Sequence, residues 1–429
     1  MPGVRINSSS LSSILLTLVT LLLTASLCVL SAQDDHNEGS HGDHGDEASH
    51  QVNSCGGADH HGDFDPGAVA FHHISDQNVY SIGMWSIPLP CILYAPDYGV
   101  DFFSSAKFQS DSHGNGKYAY NRYVLYGGQA KRVTSADFPL GKVELEYGAV
   151  WSEEEEVDGE KKDVIYVCHN GERIKCDSKS TIDGGLFGGG ITSFHDFSLT
   201  KNVVSMIIVF IFLTWMFLSV AKAYKARRGM APKGLQSFIE PIFVFIQDEV
   251  AKPFLGRRWQ EFLSLLMALF FFILGLNLFG QIPFFGGSNV TGNLSVTMVL
   301  AIIAFIVTNI HGNRHYWQHI FWMPGVPTAV KFIITPIEFL GLFIKPATLM
   351  LRLFANITAG HMVIIVFVGL IFIFGESGEN VGGAAGAIVG STLLTIFMMA
   401  IELLVAFIQA FVFTILTASY IGAAIEEHH

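Results

Sequence analysis

The chain has 429 residues, half of them hydrophobic, with a mean hydropathy of +0.43, 14% charged residues and a formal net charge of −12. That combination excludes an ordinary soluble domain and points to several membrane spans. The charge is unevenly divided: residues 33–199 carry 27 acidic against 11 basic side chains, whereas residues 200–429 carry 10 against 13, so the two halves face different surroundings.

Residues 1–32 combine one basic residue, Arg5, with a Ser-rich lead-in, an apolar run from Ile14 to Leu30 and a small residue at Ala32. This pattern predicts a secretory signal peptide cut after Ala32; an uncleaved first membrane helix is the alternative. A lipid anchor at Cys28 is disfavoured by Leu27, which stands where a small residue is needed. Residues 33–69 form a His- and Asp-rich stretch without apolar periodicity, which predicts a solvated linker. Its histidines lack a fixed ligand spacing, so a solvated linker is the expected reading and low-affinity binding of a transition metal the alternative.

Residues 70–199 predict a small, β-rich exported domain. Ile87 to Tyr94, Lys142 to Trp151 and Asp163 to Cys168 are rich in β-branched and aromatic residues, and Val143, Leu145 and Tyr147 alternate with charges. Asn170-Gly171 is a hairpin turn signal. Cys55, Cys91, Cys168 and Cys176 allow three pairings. Cys168 with Cys176 across the hairpin is the preferred one, leaving Cys55 with Cys91; buried free thiols are the alternative. No catalytic constellation emerges here.

Residues 200–429 form the membrane part. Val203 to Ala221 carries no charge over 19 residues and is followed by Lys222, Lys225, Arg227 and Arg228, which places its end in the cytoplasm. Gly234 to Leu255 is amphipathic and expected at the inner surface. Phe262 to Gly280 crosses outward and Leu294 to Ile310 returns; Asn277, inside an apolar span, needs a partner within the bundle. Two long segments follow, Lys331 to Phe374 and Ala384 to Ile421, expected as a hairpin of tilted helices around the GESGEN loop. The fold class is therefore a mostly α, polytopic membrane protein with five membrane helices, the β-rich domain in front and the C-terminus inside.

The chemistry concentrates in EFLGLFIKPATLMLRLFANITAGH, Glu338 to His361. Glu338, Lys345 and Arg352 recur every seven residues and share one helix face, drifting by about 20° per step. A charge at the bilayer centre costs on the order of 3 kcal/mol or more, so such residues mark function or mutual neutralisation. A Glu338–Lys345 pair is the structural alternative for those two, as a hydrogen-bonded structural role is for His361. Arg352 has Asn356 one turn on, and His361 about 180° around the axis. Arg stays protonated, while His361 and Glu402 can exchange protons if water reaches them. Glu402 and Gln409 again stand seven apart on one face.

At these residues the chain resembles subunit a of the F-type ATP synthase. LMLRLFANITAGH looks like that family's signature, and GLQSFIE, TGNLSVTM, Pro336 to Lys345, IQAFVFTIL and the tail EEHH extend the likeness over most of residues 200–429. The resemblance implies that Arg352 faces the essential carboxylate of a rotating c-ring between two aqueous half-channels. It also implies that Glu338, Asn356, His361, Glu402 and Gln409, with Lys345, fall on the proton path. His361 followed by Glu402 is the mitochondrial order; bacterial members commonly have the reverse, and the two groups could exchange roles if close in space. The implied partners are the c-ring, the subunit b peripheral stalk and the bilayer of a bacterial inner membrane; no cofactor is implied. The chain carries no G-x-x-x-x-G-K-[ST] phosphate loop, so ATP chemistry is expected on another subunit. A secondary transporter with an exported sensor domain is the competing class, and the chain lacks the internal repeats usual there.

Overall fold

The computed structural model describes residues 75–426, apart from 83–84, 111–113, 147, 158–159, 181–191, 228–229, 283–287, 324–326 and 375–380, together with Cys55 and a few residues between 13 and 21. The predicted cleavage site, most of the His-rich linker and the GESGEN loop lie outside the described residues.

Among the described residues, twelve strands precede the helix that starts at Lys201. β1 (Val79–Ile82) and β2 (Trp85–Pro88) form a hairpin. β3 (Pro90–Ala95) and β4 (Gly99–Ser104) pair antiparallel, and β12 (His195–Asp196) adds to β3. The remaining strands are β5 (Tyr118–Tyr120), β6 (Tyr123–Tyr126), β7 (Gln129–Val133), β8 (Lys142–Glu144), β9 (Val150–Val157), β10 (Glu160–His169) and β11 (Glu172–Asp177). They make a seven-stranded sheet in the order β8-β5-β6-β7-β11-β10-β9. The expected strand over Ile87 to Tyr94 is two strands parted at Leu89, and Lys142 to Trp151 likewise divides between β8 and β9. Asn170 and Gly171 take the positive φ angles that a two-residue hairpin turn needs, with His169 facing Glu172.

The cysteine pairing differs from the sequence expectation. Cys55 is bonded to Cys168, with their Cα atoms 5.8 Å apart, while Cys91 and Cys176 are buried free thiols. The β10–β11 register explains why the hairpin pair fails: Cys168 faces Arg173 and Cys176 faces Ile165, so the two sulfurs are out of step. Burial raises both free thiols to about 12.

The helices begin with α1 (Lys201–Ala226), to which the β domain is joined without a free linker: the Lys201 N–H donates to the Gln77 carbonyl at 2.8 Å and the Asn202 N–H to Asp76 Oδ1 at 2.9 Å. α2 (Leu235–Phe245) continues through a π-helical turn, Ile246–Ala251, into α3 (Lys252–Leu255). Pro253 has no N–H and its ring would strike the Glu249 carbonyl in a regular α-helix, so the turn widens just before it. α4 (Trp259–Gly280) is buried without interruption from Leu265 to Leu274, as a helix apolar on all sides must be at the centre of a bundle. α5 (Leu294–Ile310), capped by the Asn293 side chain, turns by 107° into α6 (Arg314–Phe321).

α7 (Thr328–Phe374) and α8 (Val381–Ile425) are the two long helices; 47 residues at 1.5 Å each give α7 a length of about 70 Å, well beyond a 30 Å hydrocarbon layer. Among the described residues, four helical runs are long and apolar enough to cross a membrane, or five if α5 and α6 count as one span. Only 17% of the most apolar stretch of α7 and 28% of that of α8 is buried, against 78% for the run that includes α4. The hairpin therefore offers lipid or a partner a broad apolar face.

Candidate functional site

The α7–α8 hairpin fixes a common height for residues far apart in sequence. His361 Nδ1 lies 2.9 Å from Glu402 Oε1, and Lys345 Nζ sits 5.7 Å from the ring centre of Tyr420. The first contact links residues 361 and 402, the second 345 and 420, so the two antiparallel helices keep nearly constant register over that length. The rise from Lys345 to His361 is about 24 Å, most of a hydrocarbon layer.

At one end, His361 and Glu402 sit in a polar cluster that α4 and the connection from α4 to α5 complete. Glu402 is 4% exposed and His361 13%. Asn277 finds the partners its burial requires: its Nδ2 donates to the Ala406 carbonyl at 3.3 Å, and Thr291 Oγ1 donates to its Oδ1 at 2.7 Å. Thr358 Oγ1 reaches the Gly292 carbonyl, and Ser288 and Asn289 are buried beside this loop. Gly360 leaves room for Glu402; a Cβ there would stand 3.0 Å from Oε1. The same oxygen is within ion-pair distance of His361, so the two titratable groups are adjacent.

At the other end, Lys345 and Tyr420 line a cavity of about 20 Å³ with Thr308, Asn309 and Tyr316, room for about one water. Tyr316 OH donates to Asn309 Oδ1 at 3.3 Å. Sequence periodicity missed Tyr420, Asn309 and Tyr316, because they come from three different helices whose meeting point periodicity does not give. Glu338 lies a further two turns along α7, and among the described residues it forms no ion pair with Lys345. Seven residues separate the two by about 10 Å of rise along the helix.

Arg352 lies between the two ends, about 14 Å of rise from His361. It is exposed, as is Asn356 one turn on, and among the described residues its guanidinium makes no hydrogen bond or ion pair. Gln409 is buried, close to the same height on α8. The structure thus brings His361 and Glu402 together, sets Arg352 and Asn356 on an open face, and leaves Glu338 apart.

A family model described as ATP synthase A chain matches residues 203–422. The chain belongs to this family. The ATP synthase subunit a of Chloroherpeton thalassium is 39% identical over 241 residues, which cover 54% of this chain and 69% of that protein. Those of Pelodictyon phaeoclathratiforme and of Anaeromyxobacter dehalogenans 2CP-C are 39% and 37% identical, covering 53% and 61% of this chain and 66% of each relative. The membership makes the chain a multi-pass membrane subunit of the ATP synthase, with α1 to α8 as its family portion. A second model, described only as a domain of unknown function, matches residues 69–158 in the β domain.

Proposed function

We propose that this chain conducts protons through the membrane sector of an F-type ATP synthase, forming two aqueous half-channels against a rotating c-ring so that proton flow drives rotation and ATP synthesis. The observation that carries this reading is Arg352: an exposed guanidinium with no ion pair among the described residues, on the helix face it shares with Lys345, at a height between two separate polar clusters. A cation so placed is stabilised by a carboxylate on a neighbouring rotor.

Protons arrive from outside through the cluster of His361 and Glu402, with Asn277 as a support, and pass to the rotor carboxylate. They leave on the other side past Lys345, Tyr420 and Glu338. Arg352 favours the deprotonated carboxylate as it passes and raises the cost of a proton crossing directly between the clusters. Asn356 and Gln409 flank it as polar, uncharged neighbours. The partners are the c-ring, the subunit b stalk and the bilayer of a bacterial inner membrane, with the β domain in the periplasm behind a signal peptide and the C-terminus in the cytoplasm. ATP itself is handled by other subunits.

The test is Arg352→Ala in the assembled complex. Proton-driven ATP synthesis in inverted vesicles is expected to vanish with the complex intact; undiminished synthesis would overturn the reading.

A further inference from the structure

The small sheet β12-β3-β4 breaks the usual rule for an antiparallel sheet, in which one face packs on the core and the other is polar. Its inner face does supply core residues Cys91, Leu93, Ala95 and Phe103. The strand registers set Phe102, Ile92 and the adjoining Phe197 in one row across the outer face and Val100, Tyr94 and His195 in the next. None of these six is Asp, Glu, Lys or Arg. Phe102 is 73% exposed and Val100 67%, with Tyr94 and Phe197 also exposed.

The position of this face names its occupant. β12 keeps pairing beyond its last residue, with the Phe197 N–H donating to the Ile92 carbonyl at 2.8 Å and the Leu199 N–H to the Pro90 carbonyl at 3.2 Å. Two residues later α1 begins, itself exposing Ile211, Phe212 and Trp215. The Phe102–Ile92–Phe197 row therefore lies about 7 Å of strand from Leu199, at the point where the chain passes into the bilayer. Protein interfaces carry polar and arginine contacts around an apolar centre, whereas aromatic and β-branched side chains beside a membrane helix are what the headgroup–acyl boundary takes up. We propose that this sheet face lies against the lipid leaflet at the N-terminal end of α1, so that the β domain rests on the membrane rather than standing free above it. The inference needs only that α1 spans the bilayer and is independent of the proton path.

The experiment replaces Phe102 with the photo-reactive p-benzoylphenylalanine in the full chain, assembled in its complex and reconstituted in phosphatidylethanolamine–phosphatidylglycerol vesicles. The same replacement at exposed Glu172, in the β10–β11 hairpin of the other sheet, is the control. After irradiation, mass spectrometry is expected to find phospholipid adducts at position 102 at least tenfold above those at 172. Adducts to another protein chain at position 102, or lipid adducts no more frequent than at 172, would overturn the proposal. The intact Cys55–Cys168 bond in the same sample reports that the domain is folded, and Val100 serves as a second site for the probe if the Phe102 variant does not accumulate.

Discussion

His361 Nδ1 and Glu402 Oε1 lie 2.9 Å apart although 41 positions separate them in the chain. The contact joins two antiparallel helices at one height, so on the proposed proton path the two groups stand within reach of each other and their roles are interchangeable. The swapped variant, His361→Glu with Glu402→His, is expected to keep a measurable part of proton-driven ATP synthesis, whereas Glu402→Gln alone loses at least tenfold. His361→Ala is expected to fall between wild type and Arg352→Ala. Rates in vesicles across pH check this, and a swapped variant as inactive as Arg352→Ala would refute the exchange.

Much of this site is readable from one helix at a time. The sevenfold spacing of Glu338, Lys345 and Arg352 puts them on one face, and the exposed Arg352 agrees with a face turned away from the bundle. What periodicity cannot supply is which helices meet. The Lys345–Tyr420 cavity and the Asn277–Thr291 bond each need two elements in register, and the Cys55–Cys168 bond needs a pairing over 113 positions. The hairpin disulfide looked favourable by proximity and failed by register.

Gly422 on α8 passes so close to the chain that a Cβ there would overlap the carbonyl oxygen of Phe254 in α3. Backbone cannot swing aside as a side-chain tip can, so Gly422→Ala must part the two helices, at a cost of about 1–3 kcal/mol. Gly341→Ala, with nothing within 4 Å of the new methyl, is the matched control on α7. The yield of assembled complex is expected to fall for Gly422→Ala and to hold for Gly341→Ala; equal yields would contradict the close approach.

In the β domain, the Arg132 guanidinium donates to both oxygens of Asp97 at 2.7 Å and holds that carboxyl below the usual carboxylate range. A depressed pKa contributes stability that is present above the unfolded value of about 4 and is lost as pH falls through the folded value. Asp97 is 61% exposed, so solvent screens the pair and its share is about 0.5–1 kcal/mol. Asp97→Asn should weaken hydrogen-exchange protection of β7 at pH 7, and the difference from wild type should shrink as pH falls through the lowered folded value and the wild-type carboxyl takes up its proton. A difference that persists undiminished at low pH would assign the effect to packing.

The first turn of α1 is capped from far away. Thr200 occupies the N-cap position but its side chain makes no capping bond; Asp76, 126 positions earlier, accepts from the Asn202 N–H at 2.9 Å through Oδ1, which also takes the Gln77 N–H at 3.1 Å. A bond between the β domain and the first membrane helix thus does the work that a local Ser or Asp does elsewhere. Asp76→Ala is expected to cost about 1–2 kcal/mol and to raise hydrogen exchange at residues 202–205 in the lipid-reconstituted chain. Burial raises the Asp76 pKa, so the charged form carries a penalty wherever pH exceeds the folded value. Asp76→Asn offers the same accepting oxygen without that charge, and its exchange rates should stay near wild type at neutral pH. If alanine and asparagine behave alike, the Asp76 oxygen is not the cap.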